Sequence, residues 1–329
     1  MPKISVIIPV YNVSEFIPKC LESILNQNFD DIEIICVNDG SSDNSLAILK
    51  DFENKDKRII VIDKENEGSG VARNAGLAIA KGKYVYFVDG DDWLEENSLC
   101  KMYKKAEELN TDVLIFGGLS CYEKNNNIIK NKGGYSADKL PNKYLNKVFS
   151  AKNIKKDIFK FPSTAWTKLY KRDFLEQNNI KFQPIKVGQD QLPFFHSMIT
   201  AERIAILPEN LYCYRKNRKG AVTATKKKKN FSPVYVFYGI EELLKGTGMA
   251  NNYGYIFINR YFSKATSWLA KFDDDLKQGY FAEYSKLLAH IKKDYPCGWW
   301  MKFNPQINDS YIKLKIKQIL AKKLNFMIK

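Results

Sequence analysis

Apolar residues open the chain in short unbroken runs, and the stretches between the runs repeat their apolar positions at helical spacing. ISVIIPV, from Ile4 to Val10, is such a run, as expected of a strand covered on both faces. Phe16, Ile17, Cys20, Leu21, Ile24 and Leu25 follow at helical intervals, which predicts a helix with Ser14 as its N-cap. IEIICV (Ile32 to Val37) is a second strand and RIIVID a third. VARNAGLAIA reads as a helix that stops at KGK, with Gly82 as its C-terminal cap. YVYFVD is a fourth strand, a helix runs from Asn97 to Leu109, and DVLIFGG is a fifth strand. Short strands alternating with helices predict an α/β fold: a Rossmann-like, mostly parallel, twisted sheet with helices on both faces.

Past Gly118 the rhythm weakens. YEKNNNIIKNKGG is polar and rich in Asn and Lys, which predicts a surface loop. Mixed and helical segments continue through FPSTAWTKLYKRDFLEQNNIKF and VGQDQLPFFHSMI. RKNRKGAVTATKKKKN, from Arg215 to Asn230, is basic and turn-rich, a mobile loop or a boundary. Aromatic-rich helical patterns then run to the end. The expected organisation is one domain over 1–220, built from a sheet-forming part (1–118) and a mixed part (119–220), followed by a mainly helical region over 221–329.

Composition narrows the class. Of the 329 residues, 45% are hydrophobic and 13% aromatic, which excludes wholesale disorder. No apolar run is long enough to span a bilayer, and MPKISVIIPVYN lacks the small-residue cleavage site of a secretory leader, so a cytoplasmic location is expected. The six cysteines have no close spacing and read as reduced and structural; with two histidines in the chain, a His/Cys zinc site is not expected. A net charge of +15 implies anionic company: nucleic acid, an anionic membrane surface or a phosphorylated substrate.

Three of the first four strands end in loops that bear candidate chemistry: Pro9 to Asn12, Asn38 to Asp43, and Asp89 to Asp92. In a parallel sheet these lie on one edge, where ligands bind. YVYFVDGDDW sets Asp89, Asp91 and Asp92 together, and like charges this close repel. A turn followed by a helix N-cap accounts for Asp here. A divalent cation accounts for it too: carboxylate oxygens suit Mg²⁺ or Mn²⁺, and Gly90 lets the backbone turn so that Asp89 and Asp91 address one ion. The strand-end position, beside a second carboxylate loop, favours the cation. In that second loop, Asp39 can accept hydrogen bonds from a nucleobase or a ribose, and Asp43 reads as an N-cap.

ISVIIPVYN, VNDGSSDNS, NEGSGVARNAGLAIAKGKYVYFVDGDD and GQDQLPFF, in that order, resemble the family-2 glycosyltransferases. The resemblance spans roughly Ile4 to Arg218. It implies the GT-A fold and an inverting, metal-dependent transfer of a sugar from a nucleotide diphosphate, usually UDP, to a hydroxyl of a glycan or lipid-linked glycan. It implies that Pro9, Val10, Tyr11 and Asp39 hold the nucleobase and ribose, that Arg73 lies near the phosphates, and that Asp89, Gly90 and Asp91 form the D-x-D with Asp91 the surer ligand for Mn²⁺ or Mg²⁺. Asp190 is implied as the catalytic base, and Trp166 as a wall of the sugar or acceptor site. The sequence differs from many relatives at Gln189, where a Glu is common, and at Arg218, where a His is common. Arg215 and Arg218 then become candidates for pairing with phosphate.

Two other classes compete. A non-catalytic nucleotide-sugar binder would share everything except a need for Asp190. A nucleic-acid-binding protein would explain the charge and the Lys226 to Lys229 run, but no module that reads RNA or DNA is visible, so nucleic acid is not expected. GSGVARNAG is not a dinucleotide fingerprint, because Arg73 occupies its third glycine position. The tail IKLKIKQILAKKLNFMIK keeps Ile312, Ile316, Ile319, Leu320 and Leu324 at helical spacing among six lysines. It reads either as a terminal helix packed on its own domain or as an interfacial helix on the inner, anionic face of the cell membrane.

Overall fold

The structure, a computed structural model, describes residues 1–124, 127–185, 187–218, 232–250, 252–254, 256–257, 260–261 and 274–294. The chain divides into two compact units, Met1–Thr225 and Lys226–Lys329. The basic tail, the Lys226 to Lys229 run and Cys297 lie outside the described residues.

In the first unit, β1 (Ile4–Val10), β2 (Ile32–Asp39), β3 (Ile59–Lys64) and β4 (Tyr84–Phe87) pair in parallel in the order β3-β2-β1-β4. β1, β2 and β4 are buried almost throughout because both faces are covered, whereas the outer strand β3 fully buries Ile59 alone. Ile4, Val6, Ile8 and Val10 share a core with Ile17, Cys20, Leu21 and Ile24 of α1 (Ile17–Leu25). Ile7, Ile35 and Val37 face the other way, onto Gly76 of α3 (Ser69–Ile79). Between these helices in sequence, α2 (Ser45–Lys55) precedes β3; α4 (Ser98–Leu109) buries Leu99, Met102 and Ala106 in the α1-side core.

The sheet continues with mixed polarity. β8 (Lys168–Lys171) is antiparallel to β4 and to β6 (Val113–Lys124), and β6 is parallel to β9 (Ile204–Arg215). The two-residue β5 (Trp93–Leu94) closes the order on β9, and β7 (Asn127–Asn131) pairs with β6. The YEKNNN stretch is therefore not wholly a loop: its polar residues form an exposed hairpin, whose ladder supplies the order that side-chain burial does not.

Helix ends differ from the sequence reading in three places. The residue capping α1 is Phe16, and the Ser14 amide is instead held by Asp43. α3 ends at Ala80, in extended backbone, so Gly82 is not its cap. Gly82 is required by proximity, since a Cβ there would lie 2.4 Å from the backbone nitrogen of Ser5. Asn44, not Asp43, is the residue at the cap of α2; the Ser45 amide at its first turn donates to Asp43 Oδ1 at 3.0 Å.

Three further helices complete the first unit: α5 (Ala151–Ile154), α6 (Arg172–Gln177) and α7 (Gln191–Thr200). The second unit contains α8 (Ser232–Gly246) and a helix over Asp274–Asp294, joined by a bond of 2.7 Å between His290 and the buried Glu241. No helix among the described residues is long and apolar enough to cross a membrane. The described cysteines are all free thiols.

Candidate functional site

The C-terminal ends of β1, β2 and β4 meet on one edge. Asn12 takes a left-handed conformation (φ 50°), and its Oδ1 accepts the Ser42 amide at 2.8 Å while its own amide donates to Ser41 Oγ at 3.1 Å. The Val13 amide donates to Ser45 Oγ at 3.0 Å and the Ser14 amide to Asp43 Oδ2 at 2.9 Å. The loops after β1 and β2 are thus laced together. Asp43 accepts these bonds at a pKa of about 2: burial works against its charge, and the bonds from Ser45 and Ser14 outweigh it. Gly90 brings the β4 loop against β1, since a Cβ there would lie 3.3 Å from the Pro9 carbonyl oxygen. Pro9 and Val10 end β1, and Tyr11 projects half-exposed beyond them.

Asp39 is buried. Its Oδ1 accepts the Glu67 amide at 3.0 Å and lies 3.2 Å from Lys64 Nζ, while Oδ2 accepts the Gly68 amide at 2.8 Å. The Asn66 side chain donates to the Asp39 carbonyl at 2.8 Å. Asp39 therefore fixes the loop that leads into α3, whose entry residue Gly68 has φ 97°.

Arg73, on the second turn of α3, is 3% exposed and joins two carboxylates that lie far apart in sequence. One terminal nitrogen donates to Asp89 Oδ1 at 2.5 Å and the other to Asp190 Oδ1 at 3.2 Å. Burial disfavours its charge, but Asp190 and Asp89 more than restore it and raise its pKa. The ring of Phe182 lies 5.3 Å from the guanidinium, and Arg73 Nε meets no acceptor among the described residues. Asp190 stands immediately before α7. Burial raises its pKa; Arg73 opposes the rise, Asp89 adds to it, and the Ala165 amide and Lys168 oppose it. Gln189 points its amide to Ser69 Oγ at 2.7 Å, which ties the Asp190 loop to the start of α3.

The other half of the acidic loop has its own arginines. Arg218 Nε lies 2.7 Å from Asp91 Oδ2, but its hydrogen is not aimed at that oxygen, so the contact is an ion pair without a well-formed hydrogen bond. Burial and the neighbouring Asp89 raise the Asp91 pKa, while Arg218 opposes them. Arg215 donates from Nε to the Asp91 carbonyl at 2.7 Å, pairs with Glu123, and stacks between Phe16 and Trp93. It is 6% exposed and spent on holding the loop. Asp92 is wholly buried: it accepts the Arg215 amide at 2.7 Å and the Tyr212 hydroxyl at 2.7 Å. The Tyr212 oxygen in turn accepts the Asp89 amide at 3.1 Å. Trp166 stacks on Tyr212, with ring centroids 4.4 Å apart at 9°, and is 3% exposed. Trp166 therefore backs the D-x-D loop from the core, through Tyr212.

Sequence reasoning missed Tyr212. Its partners are at separations of 123 and 120 residues, and the available signal was a tyrosine next to a cysteine in an apolar run.

The donor set suits a hard divalent cation. Asp89 and Asp91 are two carboxylates at a strand end, the number such an ion takes from a protein when phosphates supply the rest. The unpartnered, buried Arg73 Nε suits a phosphate oxygen, since an orphaned buried N–H is costly. Among the described residues, no group of three or more His, Cys, Asp or Glu could hold a metal on its own, so a cation held by Asp89 and Asp91 would take its remaining ligands from substrate or water.

The family model described as "Glycosyl transferase family 2" matches residues 5–178, which include both strand-end carboxylate loops and Arg73. The chain belongs to this family. Glycosyltransferase GlyA of Streptococcus pneumoniae is 37% identical over 228 residues, covering 67% of this chain and 31% of that protein. The poly(ribitol-phosphate) beta-glucosyltransferase of Bacillus spizizenii is 30% identical over 312 residues, covering 88% of this chain and 45% of that protein. The chain thus spans less than half of either relative. The crystal structure of Staphylococcus aureus TarS 1–349 in complex with UDP-GlcNAc superposes with a TM-score of 0.58 at 22% identity, covering 94% of this chain and 79% of that one. That likeness shows a GT-A-like fold.

Proposed function

We propose that this family-2 protein is an inverting glycosyltransferase that moves a sugar from a UDP-sugar to a hydroxyl of a glycan acceptor. The observation that carries the reading is Arg73, which draws Asp89 of the D-x-D and Asp190 to one guanidinium at the edge of a parallel sheet. The TarS complex with UDP-GlcNAc supports UDP as the nucleotide, and the relatives that act on poly(ribitol-phosphate) support a surface polymer or lipid-linked oligosaccharide as acceptor.

Pro9, Val10 and Tyr11 form one wall of the donor cleft. Asp39 braces the other through Glu67 and Gly68 and keeps its remaining lone pairs for the base or ribose. Arg73 and Arg218 take the diphosphate, with Arg215 holding the loop they address. A divalent cation, Mn²⁺ or Mg²⁺, bound by Asp91 and Asp89, would draw negative charge off the leaving diphosphate. Asp190 accepts the proton of the acceptor hydroxyl as its oxygen attacks the anomeric carbon from the face opposite the leaving group. One displacement inverts the configuration, so an α-linked donor gives a β-linked product. Trp166 shapes the sugar side of the cleft by fixing Tyr212. The catalytic residues come from 1–220, and the acceptor meets the cytoplasmic side of the membrane, to which the basic tail in 221–329 would bind.

The test is Asp190→Asn in the full chain, with a panel of UDP-sugars, Mn²⁺ and acceptor glycans. UDP release should fall by about 10²–10⁴-fold, the usual contribution of a general base, while calorimetry shows UDP-sugar affinity retained. Turnover equal to the unaltered protein would overturn the assignment.

A further inference from the structure

Lys168 begins β8, and none of its side chain reaches solvent. A buried ammonium is costly unless its hydrogens are satisfied. Its Nζ lies 2.5 Å from the Pro162 carbonyl oxygen, 2.8 Å from that of Thr164 and 3.1 Å from Thr167 Oγ1. Three acceptors meet three hydrogens, and all three belong to the turn just before Lys168. Two of the three are carbonyl oxygens, which only accept, so Nζ donates at least two of these bonds. Phe194 of α7 lies 5.0 Å from Nζ. Burial pulls the pKa down to about 7, and Asp190 acts in the opposite sense.

The gripped turn touches the site on three sides. The Ala165 amide faces the Asp190 carboxylate and favours its charge. Ser163 Oγ accepts the side-chain amide of Gln191, the residue after Asp190, at 2.8 Å. Trp166 carries Tyr212, which holds Asp89 and Asp92. We propose that Lys168 is a positioning residue for Asp190: it clamps the 162–167 turn, which holds Gln191 beside Asp190 through Ser163 and carries Trp166 against Tyr212. The inference rests on the reading of Asp190 as the base.

The charged and titratable groups set against Asp190 are Arg73 on α3, Asp89 after β4, Lys168 and Tyr170 on β8, and Tyr135. Arg73 and Lys168 are the cations among them, and Arg73 is shared with Asp89. Removing Lys168 leaves one divided cation, so Asp190 should hold its proton to higher pH.

The experiment uses full-length protein with ¹³C-labelled aspartate carboxyls, the Asp190 signal being assigned with Asp190→Asn. Lys168→Met and Lys168→Gln are titrated beside the unaltered chain; Gln keeps two hydrogens for the turn without the charge. The Asp190 titration should move to higher pH in both. Turnover should fall about 10–100-fold, as expected of a misplaced reacting group, with the KM for donor unchanged. Thr167→Val keeps the lysine and removes one of its contacts, so it should lower turnover while raising the Asp190 titration less than either Lys168 variant does. An Asp190 signal that titrates alike with and without Lys168 overturns the proposal, as does a Thr167→Val protein with full turnover should neither Lys168 variant fold. The base assignment fails separately, on the activity of Asp190→Asn.

Discussion

Asp190 shows at the scale of one residue how function and stability oppose each other. Burial raises its pKa above the ordinary carboxyl value near 3.8, so the folded chain keeps this proton to higher pH than the unfolded chain does. Stability from this group is therefore fully present below that ordinary value and is lost as pH rises through the folded one. In the mechanism proposed above, transfer needs the opposite state, since a protonated Asp190 cannot accept a proton. The Asp190→Asn protein should accordingly melt higher than the unaltered chain at neutral pH, with the difference shrinking as pH is lowered; an equal or lower melting temperature at neutral pH would contradict this. Asp89 and Asp91 were legible as candidates because they share one short motif, and Asp190 because it sits in another. The arginine that joins two of them was legible only as a neighbour of phosphate, since Asp190 is 117 positions away.

Elements were legible where a single physical cause made them. β1, β2 and β4 are buried almost throughout because both faces of the sheet are covered there, and the sequence reading and the structure coincide on them. β8 was hidden because its first residue is a buried lysine, which breaks the apolar pattern that marks a covered strand. β7 was hidden because it is exposed throughout and held by its ladder alone. α3 carries the site: Gly76 lets the helix lie against β1 and β2, one turn beyond Arg73. A Cβ at Gly76 would lie 2.5 Å from Ile7 Cγ2, so Gly76→Ala should lift the helix and carry Arg73 with it. We expect a loss of about 1–3 kcal/mol, the range for overpacking a core, together with weaker UDP binding. Denaturant melts and calorimetry on the same preparation check both.

At the scale of the molecule, all the candidate site residues fall in the unit Met1–Thr225. A fragment ending at Thr225 should unfold cooperatively and bind UDP as the full chain does; loss of that binding in a folded fragment would show that the second unit completes the site. Among the described residues, the arginines beside the acidic loop are already engaged, Arg73 by Asp89 and Asp190, and Arg218 by Asp91. The cleft is neutralised from within before anything enters it. A divalent ion arriving alone must evict a guanidinium and strand it, whereas one arriving with a diphosphate hands that guanidinium a replacement anion. Metal and nucleotide are then linked ligands, each tightening the other by the same factor. Manganese titrated in the presence of saturating UDP should bind more tightly than in its absence, and identical affinities would mean that the two arginines do not change partners.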